Sequence, residues 1–220
     1  MEEIPLDTAH AVIAGVAPSP ERYKWVMARA IQRCAQGLES RGWDTLSDDA
    51  DLQLCIDEDA NGVRLVGTLA GTLEWWCAQL EERLVERYES YECREEETAF
   101  RVFRHAVNAL GSRYAMAGLY QRYEVPGDQA VRFVFVSDAE VGALHPVGAG
   151  APTLDGVLGL WLRSTEDGRC EVHMVLWPDF HLSALEELLR VGVWSTLAAT
   201  VGRELKQALL ALQLQLNKAT

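Results

Sequence analysis

The sequence predicts an α+β fold: a curved antiparallel sheet wrapped around a long C-terminal helix, with additional helices. Three observations carry this. Residues 182–216 read as one helix, with Leu182, Leu185, Leu189 and Val193 on one face and Leu197, Val201, Leu205, Ala208, Leu212 and Leu216 on a face rotated from the first. Several segments ahead of it have a period of two and are joined by short turns, which antiparallel neighbours require. A sheet with one apolar face needs a cover, and the last helix is the only element of suitable length.

Taken in order, residues 1–18 carry no strong period and read as an N-terminal extension to a domain over 19–220. Ser19 is a good N-cap, Pro20 suits the first helical position, and Glu21 sits where the macrodipole favours an acid. Tyr23, Met27, Ala30, Ile31, Cys34 and Leu38 give that helix an apolar face, and Gly42 is a plausible stop. After Trp43 and an acidic loop, Leu52, Leu54 and Ile56 alternate with polar neighbours, and 63–68 reads as the return strand of a hairpin at one edge of the sheet.

Thr72 caps a second helix predicted to run to about Tyr91, with Leu73, Trp76, Cys77, Leu80, Leu84 and Tyr88 on one face. Glu95, Glu96 and Glu97 then open a shorter helix carrying Phe100, Phe103, Val107 and Leu110. From Arg113 the chain turns to strands. Residues 114–125 and 131–137 flank a Pro126-Gly127-Asp128 turn, 146–152 is a loop, and 157–163 pairs with 170–177 through Glu166-Asp167-Gly168. On the last strand Val172, Met174 and Leu176 share a face opposite Glu171, His173 and Val175, and Pro178 ends it.

The chain has 220 residues, 49% of them apolar, enough for one domain with a substantial core. Its formal net charge of −13 disfavours nucleic-acid binding and stable electrostatic attachment to a membrane. The five cysteines, Cys34, Cys55, Cys77, Cys93 and Cys170, form no CxxC pair and are odd in number, which fits buried thiols in a reducing cytoplasm. The N-terminal MEEIPLDTAH lacks the basic and apolar regions of a secretory signal, and no apolar run approaches the ~20 residues of a membrane span.

Val66-Gly67-Thr68-Leu69-Ala70-Gly71-Thr72-Leu73-Glu74 resembles the strand-to-helix segment of START-like domains numerous in oomycetes. Gly159-Leu160-Trp161-Leu162 with Asp167-Gly168-Arg169-Cys170-Glu171-Val172-His173 resembles their late hairpin. The resemblance spans about residues 20–216 and implies the helix-grip fold of the START superfamily, with a hydrophobic tunnel that takes a lipid or other apolar small molecule. The chain departs from that pattern in two places. Val131-Arg132-Phe133-Val134 stands where many of those domains carry an Arg-Asp pair, and Asp179-Phe180-His181 where they have a Gly-Gly-x-Pro-like turn, so ligand identity does not carry over. Relatives often add a FYVE-type zinc finger, for which this chain has no cysteines to spare.

Under that resemblance the sheet face toward the helix offers Tyr120, Phe133, Phe135, Trp161, Met174 and Leu176. The helix contributes Leu189, Val193, Thr196 and Thr200, and Trp75 and Trp76 add a large aromatic surface beside the sheet. A run of small residues, Gly192, Ser195, Thr196, Ala198, Ala199, Thr200 and Gly202, has two readings: an open space for a ligand, or close helix-to-sheet packing. Either threonine hydroxyl bonds a ligand or the carbonyl one turn back.

No cofactor, metal site or catalytic group is predicted. Glu171, His173, Asp179 and His181 lie close in sequence, but Pro178 intervenes and no H-E-x-x-H spacing exists. A nucleophile elbow, a phosphate loop and a dinucleotide fingerprint are all missing from the sequence. The predicted partner is therefore a lipid or other apolar small molecule, with no nucleic acid and at most transient membrane contact. The alternative is a protein-protein interaction module, in which Leu214, off the stripe of Leu212 and Leu216, seats a partner protein or a second copy.

Overall fold

A computed structural model describes residues 20–39, 42–48, 51–57, 62–87, 91–95, 98–109, 112–125, 127, 129–137, 155–179 and 184–219. The predicted N-terminal extension and the 146–152 loop lie outside the described residues. Nine strands form one sheet in the order β1-β2-β3-β9-β8-β7-β6-β5-β4, every neighbouring pair antiparallel. They are β1 (Asp44–Asp48), β2 (Leu52–Asp57), β3 (Gly62–Leu69), β4 (Tyr91–Glu95), β5 (Thr98–Ala109), β6 (Ser112–Val125), β7 (Ala130–Ser137), β8 (Asp155–Ser164) and β9 (Cys170–Asp179). Among the described residues three helices accompany them: α1 (Pro20–Glu39), α2 (Leu73–Arg87) and α3 (Ala184–Ala219).

Pro20 opens α1 as its fixed φ favours, and the Trp75 amide donates to Thr72 Oγ1 at 3.3 Å, capping α2 as predicted. The hairpins 52–57/63–68 and 157–163/170–177 form as expected. Four predictions are corrected. The acidic loop after Trp43 contains an edge strand, β1. Charged and polar side chains suit an edge, because they blunt further pairing.

The helix expected after Glu95 is absent: β4 and β5 occupy 91–95 and 98–109, and α2 ends at Arg87. Phe100, Phe103 and Val107 have helical spacing, but β5 gains nine cross-strand partners on β6, and Ala109 opposite Ser112 leaves only Leu110 and Gly111 to connect them. Pro178 does not end β9, which continues to Asp179 opposite Asp155. Pro178 lies beyond Leu176, the last residue paired with β3, so the strand has one neighbour there and a missing N–H is tolerated. On α3, Ala208 is exposed, and among its described side chains Leu209 and Leu212 are the buried leucines.

The sheet is apolar on both faces, so it needs covers on both. Val134, Val136, Leu119, Val157, Val175 and Trp177 pack against Val26, Met27, Ala30 and Cys34 of α1. The other face, the grip face, packs against Leu73, Trp76 and Cys77 of α2 and Leu209 and Leu212 of α3. Lys206 of α3 is buried among these, its Nζ donating to Ser47 Oγ on β1 at 3.1 Å, so the helix is tied to the edge strand through a stem lying on apolar surface.

Gly202 decides one of the two readings of the small-residue run at its C-terminal end. A Cβ there would stand 2.5 Å from Leu54 Cδ1 and 2.9 Å from Val63 Cγ1, both side chains buried to 1% exposure. At this point the helix lies directly on β2 and β3, and no space remains. Gly202→Ala gains about 1 kcal/mol of helix propensity. The same methyl overpacks a filled site, at a cost of typically 1 to 3 kcal/mol. We therefore expect a net loss of stability in urea denaturation; a raised midpoint would mean that α3 stands off the sheet.

Candidate functional site

The registers of β2, β3 and β6–β9 arrange the grip face as three cross-strand rows. The first runs Ile56, Val63, Leu176, Leu158, Phe135 and Tyr120. The second runs Leu54, Leu65, Met174, Leu160, Phe133 and Arg122; the third runs Leu52, Gly67, Val172, Leu162, Val131 and Glu124. In all three rows the residues from β2 to β7 are uncharged. Charge stands at the two ends: Arg122 and Glu124 on β6, and Asp44 on β1 opposite Ile56.

The face is not covered evenly. Its third row is closed by α2, where the Trp76 indole N–H donates to Ala70 O at 2.9 Å and Trp75 stands edge-on to Trp76 at 4.9 Å between centroids. The β2–β3 side is closed by the later turns of α3. Leu158 and Leu176, paired directly in the first row, stay half-buried although Phe135, Tyr120 and Met174 beside them are buried. Tyr120 stacks on Phe135 at 4.7 Å and on Phe133 at 6.3 Å, an aromatic shelf at the end of that row.

A groove of about 970 Å³ opens between α2 and the turn joining β6 to β7. Its apolar floor includes Leu73, Cys77 and Val131, and its rim carries Glu74, Glu81, Arg122 and Glu124. Arg122 Nε lies 3.0 Å from Glu81 Oε1 on α2, and its Nη2 3.3 Å from Glu124 Oε1 on its own strand. These groups are more than a third exposed, so they mark the polar margin of the face and add little stability.

The predicted site residues divide three ways. Tyr120, Phe133, Phe135, Met174 and Leu176 converge on the grip face, with Trp75 and Trp76 on the helix closing it. Trp161 lies on the opposite face, packed with Cys34 of α1 and under the Arg132 guanidinium at 5.7 Å, which corrects its assignment to the ligand wall. Leu160 opposite Met174 takes the place foreseen for it. Counting across the 165–169 turn finds this, since Ser164 opposite Cys170 puts Trp161 opposite His173. Thr200 is half-buried within α3; the side chains of Leu189, Val193 and Thr196 fall outside the described residues.

Off the grip face, Glu171 on β9 joins His173 and Arg163 in one cluster. His173 Nε2 lies 2.8 Å from Glu171 Oε1 and Arg163 Nε donates to Glu171 Oε2 at 2.8 Å. The His173 hydrogen bond, then the Arg163 one, holds the Glu171 carboxyl below its ordinary value. His173 and Asp179 sit six residues apart on one strand, about 20 Å, and do not converge. Among the described residues no group of three His, Cys, Asp or Glu is placed to hold a metal. Burial pushes the thiols of Cys34 and Cys170 up to about 12, and that of Cys77 up with Arg122 pulling the other way.

Two predictions follow from these groups. Because the folded pKa of Glu171 is depressed, its contribution to stability is full above the ordinary value of 4.5 and is lost as pH falls through the lower folded value. Glu171→Gln should therefore flatten the acid limb of a stability-against-pH curve, and an unchanged limb would remove the carboxylate from the account. Cys34 and Cys170 should resist iodoacetamide at neutral pH until denaturant is added, as peptide mapping would show; labelling in the folded protein would contradict their burial.

No family model matches the chain, and no curated protein matches it. Solved structures do. Human StAR-related lipid transfer protein 5 superposes with a TM-score of 0.60 at 12% identity, over 86% of this chain and 99% of that one. Human STARD10 gives 0.57 at 9% identity, over 92% and 82%. The lipid transfer and protein localization domain of human StarD13 gives 0.52 at 14% identity, over 80% and 93%. At such identities the likeness speaks to backbone arrangement alone, and on that ground this chain has the helix-grip fold of the StAR-related lipid transfer domains.

Proposed function

We propose that the chain binds a lipid or other hydrophobic small molecule in an internal cavity between the grip face and the C-terminal helix, by binding alone and without catalysis. The observation that carries this is the first cross-strand row: Leu158 and Leu176 are half-buried while its other members, Ile56, Val63, Phe135 and Tyr120, are buried, on a face that holds no charge from β2 to β7. A sheet built only for packing fills such positions, whereas a wall that faces a removable ligand leaves them accessible. The names of the superposed human proteins, two of which specify lipid transfer, agree with this reading.

Binding rather than reaction fits the chemistry on the face. The thiols nearest to it, Cys77 and Cys170, are held protonated by burial and are poor nucleophiles. Four free, buried cysteines, Cys34, Cys55, Cys77 and Cys170, fit a reducing, cytoplasmic setting. No described helix is long and apolar enough to cross a membrane.

Native mass spectrometry of the purified chain, followed by organic extraction, tests the reading. We expect an adduct of lipid mass that is released on denaturation. The variant pair Leu158→Trp and Leu176→Trp should fill the space and abolish uptake while the melting temperature stays near that of the parent chain. In a packed core the same changes would destabilise by about 1 to 3 kcal/mol each. A chain that stays free of adduct after incubation with mixed lipids would favour the interaction module, with Leu214, 60% exposed on α3, as its first contact.

A further inference from the structure

One helix of this acidic chain is basic along most of its length. From Arg22 to Leu38, α1 carries Arg22, Lys24, Arg29 and Arg33 and no acid, in a chain of net charge −13. Its buried side, Val26, Met27, Ala30 and Cys34, is fixed on the sheet, so Lys24, Trp25, Arg29 and Arg33 stand on the outer side, all exposed. Trp25 is 54% exposed, and Arg29 lies over its ring at 4.6 Å. Arg33 lies over Trp177 at 5.2 Å, and on β3 and β7 of the same face Arg64 and Arg132 lie over Trp43 and Trp161. The acids that strand parity puts on this face are Glu171, already paired with His173 and Arg163, and Asp57, Asp155 and Asp179 at strand ends, with Glu21 and Glu39 in the first and last turns of the helix. Glu74, Glu81 and Glu124 belong to the grip side, with the sheet and a helix layer between, beyond the roughly 8 Å over which physiological salt screens a charge.

We propose that the outer face of α1 is a docking surface for anionic lipid membranes, with Trp25 seated at headgroup level and Lys24, Arg29 and Arg33 against the lipid phosphates and carboxylates. An exposed indole beside a row of cations on a surface-lying amphipathic helix is the arrangement that interfacial binding rewards, since the ring prefers the headgroup region and the cations meet a negative potential. The net charge keeps the contact transient. Nucleic acid fits less well: α1 is anchored along its length and presents only a ridge, so it does not enter a groove, and a phosphate backbone close enough for many contacts also meets the acidic remainder of the chain. This surface lies on the face away from the proposed cavity, and its test is independent of ligand uptake.

The experiment is co-sedimentation of the full chain with phosphatidylcholine vesicles, with and without phosphatidylserine. We expect binding only when phosphatidylserine is present, weakening as salt is raised. Each basic residue removed should cost about fivefold in affinity, so Arg29→Gln with Arg33→Gln should lower it by about twenty-five-fold. Trp25→Ala should lower binding without changing its salt dependence. These positions are exposed, and circular dichroism would confirm that the variants stay folded. Equal binding to neutral vesicles, undiminished binding of the Arg29/Arg33 variant, or tighter binding to duplex DNA than to anionic vesicles would each overturn the proposal.

Discussion

The structure depends on a sheet that is apolar on both faces along β7, β8 and β9. On β7, Val131, Phe133 and Phe135 point one way and Val134 and Val136 the other, and all five are buried. Strands of this kind occur where both sides are covered, and burial of each large side chain is worth roughly 1.5 to 3 kcal/mol relative to exposure. A single covering helix cannot satisfy such a sheet. Hence α1 takes one side, and α2 shares the other with α3.

How closely each helix sits follows from small residues at specific contacts. Gly202 brings α3 onto Leu54 and Val63, and Lys206, one turn on, reaches across β2 to Ser47. Gly67 does the equivalent within the sheet: a Cβ there would meet the Asp51 carbonyl oxygen, so only glycine lets β3 pass this close to the start of β2. Curvature and a closely seated helix close the β2–β3 side of the grip face. Leu158 and Leu176 lie beyond that contact and stay half-buried.

Much of this was legible in the sequence because period and punctuation agree. Pro20, Thr72 and the 166–168 turn mark element ends by backbone chemistry that acts locally, and those ends stand where predicted, as does the long last helix. The failures share a cause: they depend on partners distant in sequence. Phe100, Phe103 and Val107 repeat at helical spacing, and only the β6 strand that follows makes an extended conformation preferable. Residues 44–48, with an aspartate at each end, look like a loop until β2 supplies a neighbour. Trp161 was misplaced because β8 is apolar at both parities, so size suggested a ligand wall where pairing with His173 puts the ring under α1. Lys206 gave no signal, since a lysine on a helix is ordinarily solvent-facing.

The distribution of polar groups bears on what kind of molecule the grip face suits. Within its three rows the only side-chain polar group from β2 to β7 is the thioether of Met174. Tyr120, Arg122 and Glu124 stand along β6, beside Glu81 of α2. An apolar face with polar groups only at its margins discriminates poorly among hydrocarbon bodies, because methylenes are nearly interchangeable in such a site. It discriminates well at the margin, where an unmatched charge must displace an existing partner. Arg122 already meets Glu81 and Glu124, so an anionic group arriving there competes with two carboxylates for one guanidinium. On the proposed reading, a bound molecule is selected by shape along the rows and by how its polar groups meet the margins at β6 and β1.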